Sequence, residues 1–250
     1  MGSMCQLWPD DRHSMGCLVL PDMRVGPGVL LLHAWWGLTP FFCQVCERLA
    51  EEGFVALAPD LYHGSTAATA EEAKQLRLGL KDEQAGREME AAVKWLQSQP
   101  SVSGTSVGVV GFSLGGYLAL RLARLAGGAV GAVVVFYATE GGGFEAARAA
   151  FLGHFAAGDG CWAGAGAVRS LEERLRAAGC ETRFHVYPGT QHAFFEQDRP
   201  EAYDAQAADL AWRRTTAFLH AHLDIPSCAY ITLRDQDRAG AGRDTPSFGA

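Results

Sequence analysis

The chain has 250 residues, 48% of them hydrophobic and 20% charged, with a formal net charge of −7. Such a composition is that of a globular protein with a sizeable core, and the length suits one undivided α/β domain. The acidic balance, the lack of any Lys/Arg-rich run and the shortness of the longest apolar stretch, 129–138, argue against nucleic acid and membrane as partners.

Residues 1–15 read as an N-terminal extension, and Trp8-Pro9-Asp10-Asp11-Arg12 falls where the apolar core of a signal peptide would sit, so a cytoplasmic location is expected. A domain over 16–224 follows. Its first strand is predicted at 17–20, ended by Pro21, and the continuous apolar run 28–33 reads as a strand buried on both faces. Thr39-Pro40 supplies an N-cap and an N1 proline for a helix that ends at Gly53. A strand over 54–58 stops at Pro59. Thr69 and Glu72 form a capping box that opens a helical region to about residue 98, interrupted near Gly79 or Gly86. Then come a strand at 106–110, a helix at 114–126 closed by Gly127-Gly128, and strands at 131–137 and 150–155. A helix at 167–178, a strand at 182–187 and a last helix at 200–223 complete the pattern, and 225–250 reads as a polar tail. Alternating strands and helices imply an α/β fold: a mostly parallel central sheet of about seven strands with helices on both faces and no large lid domain.

The seven cysteines are odd in number and scattered, which does not suggest a disulfide framework. Cys43-Gln44-Val45-Cys46 lies inside a helical pattern with no second metal-type pair, so it reads as two thiols on a helix flank. No metal or cofactor is expected.

The chemistry centres on Gly111-Phe112-Ser113-Leu114-Gly115-Gly116, set between a β-branched run and a helix-prone run. Strand, G-x-S-x-G, helix is the setting in which the serine becomes an exposed nucleophile and the N–H after it an oxyanion donor. A serine hydroxyl needs a base. Among eight histidines His192 is favoured, because it sits on the loop past the last predicted strand. His185 and His154 belong to strands, and His220 and His222 to the last helix. His33, at the mouth of an apolar strand, is expected to line the site. The acid that orients the base should lie between the two at a strand end. Asp159 is favoured and Glu140 competes. The second oxyanion donor is expected from the N–H of Trp35, beside that of Leu114. Trp36, Phe41, Tyr62, Trp162 and Phe194 are expected as walls of a substrate pocket.

Four segments carry a family resemblance: Leu32-His33-Ala34-Trp35-Trp36-Gly37-Leu38, the run from Glu52-Gly53-Phe54 through Pro59-Asp60-Leu61-Tyr62, the hexapeptide around Ser113, and Tyr187-Pro188-Gly189-Thr190-Gln191-His192-Ala193-Phe194. Over 16–222 the chain resembles the dienelactone hydrolase family of the α/β-hydrolase superfamily. The resemblance implies that fold, a triad of Ser113, Asp159 and His192, and an oxyanion hole from the Leu114 and Trp35 N–H groups. Three departures bear on the substrate. Founding members of the family use a cysteine nucleophile where this chain has Ser113, and a glutamate that manages its ionisation where this chain has Ala34. They also bind a substrate carboxylate with an arginine four residues after the histidine, where this chain has Glu196. The expectation is therefore a cofactor-free serine carboxylesterase or lactonase, monomeric or a small homo-oligomer, acting on small neutral esters or lactones. An amide hydrolase on the same triad and a non-catalytic small-ligand binder are the alternatives.

Overall fold

Strands buried along most of their length need cover on both faces, and five of them occupy the centre of the sheet. In the computed structural model, which describes residues 3–8, 11–160 and 163–223, these are β3 (Gly26–Leu32), β4 (Val55–Pro59), β5 (Val102–Phe112), β6 (Val130–Phe136) and β7 (Ala150–Ala156). With β1 (Ser3–Trp8), β2 (Asp11–Val19) and β8 (Thr182–Tyr187) they form one sheet in the order β1-β2-β4-β3-β5-β6-β7-β8. The pairings of β2 with β1 and β4 are antiparallel and all others parallel.

Alternate residues of each strand feed opposite layers. Val29, Leu31, Val110, Phe112 and Val134 pack against α1 (Pro40–Glu51) and α6 (Ala205–His222) through Phe42, Val45, Leu49, Ala211 and Phe218. Leu30, Leu32, Val107, Val109 and Val133 pack against α3 (Asp82–Gln97), α4 (Leu114–Leu125) and α5 (Ala165–Ala177). The strand order reverses between β3 and β5, because the chain leaves β3 toward β4 and returns to the other side as β5. Crevices open at the carboxyl ends of strands at such a switch point.

The expectation of about seven strands falls one short. The boundary at residue 15 cuts through β2: residues 3–8 and 11–15 belong to an antiparallel ribbon at the sheet edge rather than to an extension outside it. Asp11, Arg12 and His13 hide that ribbon from an apolar-alternation criterion. The predicted break in the long helical region falls beside Gly79. The short helix α2 (Ala70–Gly79) opens with the expected capping box, the Glu72 N–H donating to Thr69 Oγ1 at 3.3 Å. The chain then leaves the helix at Leu80, while Gly86 lies inside α3. The last helix starts at Ala205, capped by Asp204 Oδ1 on the Ala207 N–H at 2.9 Å, five residues later than predicted. Cys43 and Cys46 lie on α1 as expected, and both are in thiol contact with Cys17 of β2. Among the described residues no helix is long and apolar enough to cross a membrane. The predicted tail lies outside the described residues.

Candidate active site

Ser113 stands between β5 and α4 with φ 51° and ψ −110°, a conformation that costs a non-glycine residue of order 1–3 kcal/mol. Crowding forces it. A Cβ on Gly111 would lie 2.3 Å from the Gly115 carbonyl oxygen, and one on Gly115 would lie 2.1 Å from that of Leu32. Glycine at both positions lets α4 start directly on top of β3 and β5. The Ser113 N–H donates to Phe136 O of β6 at 3.0 Å and so pins the turn to the next strand.

The serine hydroxyl lies 2.8 Å from His192 Nε2, and His192 Nδ1 lies 2.6 Å from Asp159 Oδ2. A ring nitrogen facing a carboxylate must donate, so Nδ1 carries the proton and Nε2 presents its lone pair to the serine. Asp159 is 4% exposed and stands on the turn after β7, and His192 stands on the loop after β8. The two segments are tied together: the Ala157 N–H donates to Tyr187 O and the Gly158 N–H to Thr190 O, both at 3.0 Å. Glu140 is occupied elsewhere. Its Oε1 accepts from Arg124 and its Oε2 from the Gly142 N–H, both at 2.8 Å. Asp159, not Glu140, is the carboxylate brought to the histidine.

A cavity of about 580 Å³ opens over Ser113, lined by Trp35, Trp36, Leu114, Tyr137 and His192 among others. That volume suits a small-molecule site. The Trp35–Trp36 segment is held by a turn in which the Gly37 N–H donates to Ala34 O, and by the Ala67 N–H on Trp36 O. Leu32, three residues before Trp35, pairs in register with Gly111, which sets the tryptophan loop beside the serine turn.

Several expected wall residues are not on the wall. His33 is fully buried, its Nδ1–H donating to Ala34 O at 2.7 Å and its Nε2 accepting from the Leu61 N–H at 3.2 Å. Burial lowers its pKa and keeps the ring neutral, as that bonding requires. It braces the end of β3 from below. Phe41 packs edge-on against Phe42 and Phe195, Tyr62 meets His33 with the rings tilted, and Phe194 is buried against Tyr137 and Tyr187. Each is buried beneath the cavity wall rather than on it, where its ring adds to the apolar core. Trp162 lies outside the described residues. His154 is a packing histidine, bonded to Tyr187 Oη and Thr215 Oγ1.

Other lining groups come from places the sequence did not flag. Tyr137 follows β6 at the level of Ser113, and position past the end of a central strand is the signal that would have found it. Lys74, Arg77 and Leu78 of α2 and Arg199, Glu201 and Ala202 form the mouth. Arg199 places its guanidinium carbon 3.8 Å from the Trp36 ring centroid, a cation–π contact. Glu196, expected to repel anionic substrates, does not reach the cavity: it is 1% exposed and accepts the Tyr137 hydroxyl at 2.7 Å. The ground for excluding anionic esters therefore falls away, and the mouth carries Lys74, Arg77 and Arg199 against Glu201, with Arg77 paired to Asp82 at 2.9 Å.

The model of the dienelactone hydrolase family matches residues 15–223. The chain belongs to that family. It is 30% identical over 232 residues to Protein usf of Aquifex pyrophilus, covering 89% of this chain and all of that one. A carboxymethylenebutenolidase of Pseudomonas sp. strain P51 is 38% identical over 115 residues, 42% of this chain and 48% of the relative. Among solved structures, the dienelactone hydrolase-like promiscuous phosphotriesterase P91 from metagenomic libraries superposes with a TM-score of 0.80 at 22% identity, covering 90% and 99% of the two chains. At that identity the likeness concerns the fold, which is that of the α/β-hydrolases.

Proposed function

We propose that this family member hydrolyses small esters or lactones through an acyl-enzyme on Ser113. One observation carries this: the unbroken relay from Ser113 Oγ through His192 to Asp159, at 2.8 and 2.6 Å, at the floor of a cavity. In the reaction Ser113 Oγ attacks the carbonyl carbon as His192 Nε2 takes its proton, and Asp159 holds the ring in the required tautomer and stabilises the imidazolium. The N–H groups of Leu114 and Trp35 receive the developing oxyanion, each contributing roughly 3 kcal/mol to lowering the barrier. His192 returns the proton to the leaving alcohol, and a water activated by the same nitrogen then releases the acid. For a lactone the leaving alcohol stays tethered, and the product is a hydroxy acid. The chain's own side chains supply every proton transfer in this scheme.

A cytoplasmic setting is part of the proposal, supported by Cys5, Cys17, Cys43, Cys46 and Cys180 as free thiols. The test is labelling with a fluorophosphonate probe. Stoichiometric modification of Ser113 in the folded protein, together with turnover of short-chain esters well above matched amides, is the expected result. Folded protein that stays unlabelled rejects the function. Labelled protein that prefers the amides replaces it by an amidase.

A further inference from the structure

Two hydrogen bonds fix the His192 ring by its nitrogens, yet both lie near one axis through the ring. Rotation about that axis changes neither bond length much, so something must press on the ring face. That group is Tyr137. Its ring centroid lies 4.8 Å from that of His192, at an interplanar angle of 58°. Tyr137 is itself fully buried and held in a left-handed conformation (φ 43°), with its N–H donating to His154 O at 2.7 Å. Among the described residues the far end of the tyrosine is fixed by one polar contact, the hydroxyl donated to Glu196 Oε1 at 2.7 Å.

Glu196 belongs to the same loop as His192, four residues further on. The loop winds back on itself there: the Phe194 N–H donates to Gln191 O at 3.2 Å and the Glu196 N–H to Ala193 O at 2.9 Å, with Ala193 at φ 67°. The Thr39 hydroxyl donates to Asp198 on the same loop at 3.3 Å. The chain thus runs from the imidazole, around a tight double turn, to a carboxyl that grips the tyrosine lying against that imidazole. We propose that Glu196 is a positioning residue for His192, acting through Tyr137, whose ring it holds against the imidazole. This role rests on the acyl-transfer function proposed above.

The protonation of the clamp follows from its surroundings. Burial pushes the Glu196 carboxyl up to about 8, its bond from Tyr137 and the charge of Arg199 pull it down, and Asp198 and Glu201 push it up. Arg48 of α1 stacks over the neighbouring Phe195 ring. Burial and the nearby carboxyl also hold the Tyr137 hydroxyl protonated, so it stays the donor. At neutral pH the clamp is therefore an uncharged acid that accepts one hydrogen bond. Its Oε2 has no partner among the described residues. Ionisation puts charge on that unpartnered oxygen, and a donor drawn to it, water or the buried Arg199 Nε, shifts the wall behind Tyr137.

The experiment follows 4-nitrophenyl butyrate hydrolysis from pH 6 to pH 10 for wild type, Glu196→Ala, Glu196→Gln and Tyr137→Phe, with fold checked by circular dichroism. Glu196→Ala and Tyr137→Phe should lower kcat roughly tenfold or more, with KM within about twofold, as expected when a reacting group is misaligned rather than a substrate unbound. Glu196→Gln keeps an acceptor for the hydroxyl and should recover most of that loss. Wild-type kcat should fall through an inflection near pH 8, and Glu196→Gln should lack it. A folded Glu196→Ala or Tyr137→Phe with wild-type kcat overturns the role, as does the same inflection in Glu196→Gln. If Glu196→Ala does not fold, Tyr137→Phe decides. Wild-type protein unlabelled at Ser113 would instead reject the hydrolase function itself.

Discussion

Gly115 is the tightest point of the site. Replacing it with alanine places a Cβ 2.1 Å from Leu32 O, 2.5 Å from Leu32 C and 2.6 Å from His33 O, whereas contacts of a Cβ essentially never fall below 3.0 Å. All three obstacles are backbone at the end of β3, braced by the His33 hydrogen bonds, so no side chain can swing aside. Helix α4 and strand β3 must part by about an ångström. That movement separates the Leu114 N–H from the tryptophan loop, the two halves of the proposed oxyanion hole. Misplacement on this scale costs about 100-fold in kcat, and overpacking a tight interior costs about 1–3 kcal/mol, with backbone obstacles at the upper end. For a domain of this size that is a fall in Tm of roughly 6–12 °C. The control is Gly86→Ala in α3, where a Cβ meets nothing within 4 Å. It should leave kcat alone and stabilise by about 0.5–1 kcal/mol through better helix propensity. Thermal melts and ester turnover on both variants check the pair. A Gly115→Ala protein with wild-type Tm and kcat within threefold would refute the claim that glycine is there for close approach.

Ser113→Gly should abolish turnover and raise Tm, because it relieves the strained φ of 51°; an unchanged or lower Tm would mean that the turn stores no strain. Asp159→Asn should keep the fold and lower kcat by about 10³-fold or more through the wrong histidine tautomer, and a loss under tenfold would remove Asp159 from the relay. Glu196 also sets a stability trend with a defined sign. Its carboxyl holds its proton to about pH 8 in the native state but ionises near 4.5 when unfolded, so stability declines as pH rises through that interval and is level above it. At about 1.4 kcal/mol per unit the decline reaches about 5 kcal/mol. Glu196→Gln should therefore gain in Tm over wild type as pH rises from 5 to 8, and a difference that stays constant would show that the carboxyl is not held neutral. An ester carrying a distal carboxylate should be turned over at least as well as its neutral isostere at low salt, with the advantage shrinking in about 0.5 M salt. A strong preference for the neutral ester at low salt would mean that Lys74, Arg77 and Arg199 do not govern entry.

What the sequence disclosed is local. The apolar runs, Pro59, Pro188, the Thr69–Glu72 box and the glycines around Ser113 each encode their own neighbourhood, and the elements they mark stand within a few residues of the predicted ends. The order Ser113, Asp159, His192 was legible because each follows a strand that ends on the same side of a parallel sheet. What stayed hidden depends on packing between segments far apart in the chain. His33 has the look of a site residue until Leu61 and Ala34 are seen to occupy both its nitrogens. Glu196 reads as an acid facing the substrate until Tyr137, 59 positions away, takes it inside. The mouth residues of α2 carry no mark in sequence, since only the fold of the preceding loop brings Lys74 and Arg77 over Ser113. The β1–β2 ribbon escaped because residues 11–15 extend past β4 and pair with β1 alone, where charges are tolerated that a central strand excludes.

The cross-bonds between the turn after β7 and the loop after β8 have a mechanical consequence. With Gly158 pressed so close to Thr190 O that a Cβ there would lie 2.8 Å away, the acid and the base ride on one stiff body. The serine rides on another, anchored to Phe136. The two bodies meet at the gap between Ser113 Oγ and His192 Nε2 and where Tyr137, next to Phe136, lies against the His192 ring. The Asp159 contact sets the tautomer within the first body, independently of where the hydroxyl stands. A different nucleophile could be mounted on the second body without retuning the first.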